Sequence, residues 1–168
     1  EIGRRERGTE AGGAIPAADP APYYPAYPAQ SRLFLIEQME GAELSYNAPV
    51  LLRVEGTLDA DRLERSLNEL IARHDSLRTS FRLFGEQIVQ YVQSGVRLRL
   101  SARQAAEEDV PALMDDFVRP FDLGRAPLMR AGLVSCGGGV HFIMLDFHHI
   151  AVDGVSMHVF FEDWSKLY

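Results

Sequence analysis

The sequence has little cysteine and no long hydrophobic run. Cys136 is its only cysteine, which excludes a disulfide within the chain and a cysteine-rich metal site. No stretch approaches the ~18 consecutive apolar residues of a transmembrane helix. The charged start at residues 4–7 is not followed by an apolar stretch, so it does not resemble a secretory signal. Together these absences predict a cytoplasmic protein without a membrane partner.

Positive charge is also scarce. The chain has 17 Lys and Arg residues against 24 Asp and Glu residues, a formal net charge of −7. Because binding to nucleic acid needs a basic surface, this balance argues against a nucleic-acid partner. The 168 residues are 46% hydrophobic and 24% charged, which fits one globular domain with its own core.

The first 28 residues differ in composition from the rest. They hold five of the nine prolines and four glycines, so they cannot propagate a helix or a central strand. We interpret residues 1–28 as a Pro/Gly/Ala-rich interdomain linker and residues 29–168 as the folded domain. The aromatic end of the linker, with Tyr23, Tyr24 and Tyr27, is expected to pack on that domain.

Apolar periodicity predicts the elements of the folded part. Helical spacing predicts helices over residues 30–38, 59–74, 107–118 and 155–168, with Asp59 as an N-cap. Runs of β-branched and aromatic residues predict strands over residues 49–55, 79–83, 87–92, 96–100, 128–135 and 140–148. Helices and strands alternate without a strict βαβ order. The expected fold class is therefore α/β, a mixed β-sheet flanked by helices.

One segment at residues 147–156 concentrates polar groups of chemical interest. His148 and His149 end an apolar strand, three residues of turn follow, and Asp153 and Gly154 open a helix. A histidine at a strand end is held on a rigid scaffold yet faces the open end of the sheet, which suits proton transfer. A metal site lacks a third ligand in the sequence, and two structural histidines remain an alternative.

This segment resembles a known signature, and two further motifs match in order. His-His-x-x-x-Asp-Gly at residues 148–154 is similar to the signature of condensation domains of nonribosomal peptide synthetases. The run Ala-Gln-Ser-Arg-Leu-Phe at residues 29–34 resembles their first motif. The run Arg-His-Asp-Ser-Leu-Arg-Thr-Ser-Phe at residues 73–81 resembles their second. The chain is therefore identified as a member of this family, within the chloramphenicol acetyltransferase-like superfamily.

The resemblance implies a two-lobed fold of which residues 29–168 form the N-terminal lobe. The chain stops at Tyr168 inside or just after a predicted helix, and we expect the C-terminal lobe to be missing. The implied reaction is peptide-bond formation between thioesters held on the 4′-phosphopantetheine of upstream and downstream peptidyl carrier domains. No cofactor or metal is expected to bind directly. Without the second lobe, we expect the chain to be inactive and to self-associate.

The resemblance also assigns roles at the site. His149 is implied as the catalytic histidine and Asp153 as a structural ion-pair acid. His148 is assigned a structural role because neighbouring residues of a strand face opposite ways, and Gly154 because glycine permits a close backbone approach. As the ion-pair partner of Asp153 we predict Arg78, with Arg73 or a residue of the missing lobe as alternatives. Backbone amides near Gly154 are expected to stabilise the oxyanion.

Other functions within the superfamily stay open. An epimerisation domain shares the fold and the histidine motif, although residues 29–33 and 46–47 are more typical of an ordinary condensation domain. A heterocyclisation domain has aspartate in place of the histidines and is disfavoured. A non-catalytic module that recruits another protein is a third alternative, against which the presence of His149, Asp153 and Gly154 argues.

Overall fold

The computed structural model describes residues 18–168, and its elements alternate along the chain. Four helices form: α1 (Pro28–Glu37), α2 (Ala60–Arg73), α3 (Val110–Phe117) and α4 (Gly154–Leu167). The strands are β1 (Tyr24–Pro25), β2 (Asn47–Glu55), β3 (Thr79–Phe84), β4 (Gln87–Val92), β5 (Ser101–Gln104), β6 (Met129–Gly137) and β7 (Val140–His148). Short 3₁₀ turns at Asp75–Arg78 and Glu107–Asp109 precede β3 and α3. No helix in this part of the chain is long and apolar enough to cross a membrane.

The strands form two sheets. The larger has the order β2-β7-β6-β5, in which β5 and β6 are parallel and the other neighbours are antiparallel. The smaller has the order β1-β4-β3 and is antiparallel. Parallel and antiparallel pairs in one sheet, with helices packed against it, confirm the predicted mixed α/β fold class.

Helices cover both faces of the larger sheet, because the central strand β7 carries apolar side chains on both faces. Its alternate residues Ile143, Leu145 and Phe147 belong to the main core, where α2 and α4 pack. Phe142 and Met144 point to the other face, where they join the helix α3. A strand with apolar residues at nearly every position is buried on both sides, as a central strand between helices must be. His148 ends this strand and is itself fully buried.

Most predicted elements form with shifts of one to three residues at their ends. The exception is the strand predicted at residues 96–100, which is wrong: pairing with β6 begins only at Ser101. The apolar–polar alternation continues through both segments, so the pattern alone does not show where pairing starts. Tyr24 and Pro25 pair with β4 and Pro28 begins α1, so the folded part starts before Ala29. The rest of the predicted linker, residues 1–17, lies outside the described residues.

Candidate active site

Neighbouring strands hold the histidine pair in place through the backbone. The His148 amide donates to the carbonyl of Leu128, at 3.0 Å, and the His149 amide donates to the carbonyl of Tyr46, at 2.9 Å. Tyr46 directly precedes β2, and Leu128 directly precedes β6. The end of β7 is therefore hydrogen-bonded to the segments that precede both of its neighbouring strands, and the turn that follows starts from a defined position.

His148 is buried and electrically neutral. Its Nδ1 accepts a hydrogen bond from the Ile150 amide at 3.0 Å, and its Nε2 lies 3.3 Å from Oε2 of Glu37. Because Nδ1 is the acceptor, the imidazole proton sits on Nε2 and is donated to the carboxylate. Burial, and secondarily the neighbouring His149, lowers the pKa of His148 to about 4. The imidazole is thus held at both ring nitrogens, and its structural role stays a prediction.

Glu37, from the end of α1, is a partner that the sequence reasoning missed. Burial and, to a lesser degree, the charge of Glu43 raise the pKa of its carboxyl group. The aromatic rings of Tyr46 and Phe121 lie with their centroids 6.5 and 6.0 Å from the His148 imidazole and complete its surroundings. Glu37 stands only a few residues beyond the first motif, but nothing in the sequence shows that α1 ends beside β7.

His149 is the exposed member of the pair. Its Nδ1 lies 3.3 Å from the carbonyl oxygen of Val152, in the same turn. A carbonyl oxygen only accepts hydrogen bonds, so Nδ1 carries the proton when this bond forms. The remaining nitrogen, Nε2, then has a free lone pair. An imidazole anchored at one nitrogen and free at the other has the arrangement that a general base needs.

The predicted partner of Asp153 is wrong. Asp153 is exposed and caps the N-terminus of α4: its carboxylate accepts from the amide and the hydroxyl of Ser156, both at 2.8 Å. The Ser156 hydroxyl accepts in turn from the Asp153 amide, at 2.6 Å, which completes a capping box. These bonds, the backbone one first, lower the pKa of Asp153.

The two arginines proposed for Asp153 have other partners. Arg78 pairs with Asp75 in its own 3₁₀ turn and donates to the carbonyl of Gln93 at 2.9 Å. Arg73 lies 3.6 Å from Asp163, which also accepts from Nε2 of His74 at 3.0 Å. Within residues 18–168, Asp153 therefore acts through the helix terminus and not through an ion pair.

Gly154 is the first residue of α4, and a side chain there would meet open space. Stabilisation of an oxyanion by the amides of this turn was expected. The capping box uses the Asp153 and Ser156 amides internally, which leaves fewer donors for a ligand than the sequence suggested. In the described part of the chain, no three His, Cys, Asp or Glu side chains are grouped to hold a metal ion.

A second set of polar residues, which the sequence analysis also missed, packs next to His148. Arg130 on β6 lies opposite Asp146 on β7, and their charged groups are 3.2 Å apart. Asp146 is fully buried and also accepts from the side-chain amide of Asn47, at 2.8 Å. The Arg130 guanidinium lies 3.7 Å from the centre of the Phe121 ring, which in turn contacts His148. Arg130 therefore connects the buried Asp146 of the sheet to Phe121, the aromatic ring that packs against His148.

Comparison with known proteins places this geometry in a family. The family model for the condensation domain matches residues 21–168. The chain belongs to the condensation-domain family. The resemblance seen in the three motifs is thereby confirmed, since the match covers all of them.

The relatives of this condensation domain are parts of much longer peptide synthetases. Tyrocidine synthase 3 of Brevibacillus parabrevis is 45% identical over 155 residues, which are 92% of this chain and 2% of that protein. Surfactin synthase subunit 2 of Bacillus subtilis (strain 168) is 41% identical over 146 residues, 87% of this chain and 4% of that protein. The chain thus spans only a few per cent of the length of these relatives.

Solved structures share the fold. The X-domain from teicoplanin biosynthesis, in its complex with OxyB, is 31% identical and superposes with a TM-score of 0.85 over 93% of this chain and 34% of that one. The first condensation domain of the CDA synthetase is 25% identical, with a TM-score of 0.76 over 87% of this chain and 39% of that one. The chain therefore corresponds to about a third of each of these structures.

Proposed function

We propose that this condensation domain catalyses peptide-bond formation between aminoacyl or peptidyl thioesters held on the 4′-phosphopantetheine arms of upstream and downstream carrier domains. One observation carries the proposal: His149 is exposed at the end of β7, with Nδ1 anchored on the Val152 carbonyl. Family membership and the peptide-synthetase relatives support the same reaction class.

The proposed chemistry requires one proton acceptor. The amine of the acceptor substrate attacks the thioester carbonyl of the donor, and a tetrahedral intermediate forms. Nε2 of His149 takes the proton that the new amide nitrogen loses, the carbon–sulfur bond breaks, and the sulfur leaves and is protonated as the thiol. Because a free α-amine has a pKa of about 8, a useful fraction is already neutral at pH 7. His149 therefore orients the amine and accepts its proton during attack.

We propose that the described residues form one wall of the site. His149 is solvent-exposed in the described residues, whereas the two thioesters must be held together in attack geometry, an effect worth about 7–11 kcal/mol. We propose that further polypeptide of a complete condensation domain, the C-terminal lobe, forms the opposing wall. The chain by itself is then expected to have no measurable condensation activity.

The test is the substitution His149→Ala in a complete condensation domain that contains this chain. With carrier-bound donor and acceptor thioesters, we expect the rate of peptide formation to fall by about 10²–10⁴, the range for a positioned acid–base group. His158→Ala is the matched control, because His158 is also exposed but lies along α4. A His149→Ala enzyme with wild-type turnover would remove this residue from the mechanism. Chiral analysis of the product separates condensation from the alternative, epimerisation.

A second candidate function is the recruitment of another protein. The observation that favours it is the similarity to the X-domain, a structure solved as a complex with OxyB. Under this alternative the His149→Ala variant would lose nothing, and the complete wild-type domain would form no peptide. The exposed, singly anchored imidazole of His149 favours catalysis over recruitment.

A further inference from the structure

A row of polar side chains lies on the side of β5 that faces away from the main core. Leu98 and Leu100 pack into the core formed with α2 and α4. Since successive side chains of an extended chain point to opposite faces, Arg99, Ser101 and Arg103 face the other way, toward α3. All three are exposed.

These side chains line a small pocket whose opposite wall comes from the end of α3 and the loop after it. The cavity measures about 140 Å³, and its further lining residues are Asp116, Phe117, Arg119, Arg130 and Ala131. Four arginines from three separate parts of the chain thus meet around one opening. Pockets for drug-sized ligands begin at about 300 Å³, so this one has room only for a small group.

The charge of the pocket is positive although the chain as a whole is negative. Arg130 is neutralised by the buried Asp146, and its guanidinium also donates to the Arg119 carbonyl at 2.6 Å. By contrast, Arg99, Arg103 and Arg119 form no ion pair with any carboxylate of residues 18–168. Asp116 is the one acid of the lining. An excess of positive charge concentrated in a small concave site attracts anions.

We propose that this pocket binds a phosphate group. Guanidinium groups that reach a small volume from β5, from the segment before it and from the loop after α3 surround a tetrahedral anion better than a planar one. Each guanidinium presents several N–H donors to phosphate oxygens, and the Ser101 hydroxyl adds another. The pocket is too small for a polynucleotide backbone, and the net charge of −7 opposes one, so the expected ligand carries a single phosphate.

Direct binding tests the proposal. Calorimetry or NMR titration at constant ionic strength, held with chloride, measures the affinity for inorganic phosphate and for 4′-phosphopantetheine, with pantetheine as the ligand that lacks phosphate. Arg103→Gln and Arg119→Gln should each weaken phosphate binding about tenfold, which corresponds to about 1.4 kcal/mol. Arg65→Gln, an exposed arginine on α2, is the matched control and should leave the affinity within about twofold.

Each outcome decides the question. Phosphate binding that depends on Arg103 and Arg119 supports the site, and tighter binding of 4′-phosphopantetheine than of inorganic phosphate identifies the carrier arm as its source. Absence of binding, equal loss in the Arg65→Gln control, or equal affinity for pantetheine overturns it. The assay contains no condensation step, so its result does not depend on the proposed function.

Discussion

The buried histidine makes the stability of this chain sensitive to acid. His148 is fully buried, and its pKa falls from the ordinary 6.5 to about 4 because burial, and then the neighbouring His149, disfavours the charged form. In the unfolded chain the same imidazole titrates near 6.5. Between these two values the unfolded state takes up a proton that the folded state does not. Stability is therefore present in full above pH 6.5 and is lost as the pH falls toward 4.

The gap between the two pKa values sets the size of the loss. Between the two pKa values, each pH unit lowers the free energy of unfolding by about 1.4 kcal/mol. His148 alone therefore removes about 3 kcal/mol of it between pH 6.5 and 4. Total stabilities of domains are about 5–15 kcal/mol, so the loss is a large share. The raised pKa values of Glu37 and Asp146 work in the opposite direction, because protonation of those carboxyl groups favours the folded state.

A comparison with His148→Asn removes the titration of the histidine while both carboxyl groups remain in the chain. The asparagine side chain keeps an acceptor for the Ile150 amide but has no titrating group. Urea unfolding of both proteins, followed by Trp164 fluorescence at several pH values between 7 and 4, gives the two stability curves. We expect the wild-type curve to fall about 3 kcal/mol further than that of the variant. An NMR titration of the His148 imidazole provides a second measurement, even if the variant does not fold. Parallel stability curves, or an imidazole pKa near 6.5, would refute the reasoning.

Two further substitutions test the structure around the site. Asp153→Ala removes the N-cap of α4 and should lower the melting temperature by about 2–4 °C, whereas Asp153→Asn, which can still cap, should change it little. The changes in melting temperature caused by Asp153→Ala and by Arg78→Ala should add in the double variant. A double variant that departs strongly from additivity would show that the two side chains form an ion pair after all. Gly132→Ala places a methyl group 2.7 Å from the terminal methyl of Met144 and 3.1 Å from the Phe117 ring. Because Met144 is fully buried, its side chain has little room to move aside, and the substitution should cost about 1 kcal/mol in urea unfolding. Gly154→Ala adds a methyl group that meets open space, so it should change the free energy of unfolding by no more than about 0.5 kcal/mol. Equal losses of stability in Gly132→Ala and Gly154→Ala would contradict the packing described around Gly132.

The elements with a strong local pattern were predictable from the sequence. The helix around residues 59–74 was placed almost to the residue because its apolar residues repeat with the helical period. The strand at residues 140–148 was placed because it is a nearly continuous apolar run that follows a glycine-rich turn. The pairing of β5 with β6 was displaced along the chain, since alternation shows which side of a strand is apolar but not where its neighbour begins.

The parts of the site that lie within one short sequence motif were predictable. His148 and His149 were placed at a strand end, and Asp153 at the start of a helix, as the structure has them. The partners were not predictable, because they depend on which elements meet in space. Glu37 reaches His148 from α1, and Arg130 reaches Asp146 only through the register of β6 against β7. An ion pair for Asp153 was expected where a helix terminus provides its partners instead.

The pairing of β2 with β7 has a consequence for how the chain folds. Asn47 lies opposite His148, and the Tyr46 carbonyl that receives the His149 amide comes from the same early segment. During synthesis β2 leaves the ribosome long before its partner exists, and the 84 residues between Glu55 and Val140 have to form a closed loop before the two strands meet. Contacts of such long sequence separation slow folding. We therefore expect the turn that carries His149 to be assembled late, in the same event that completes the larger sheet.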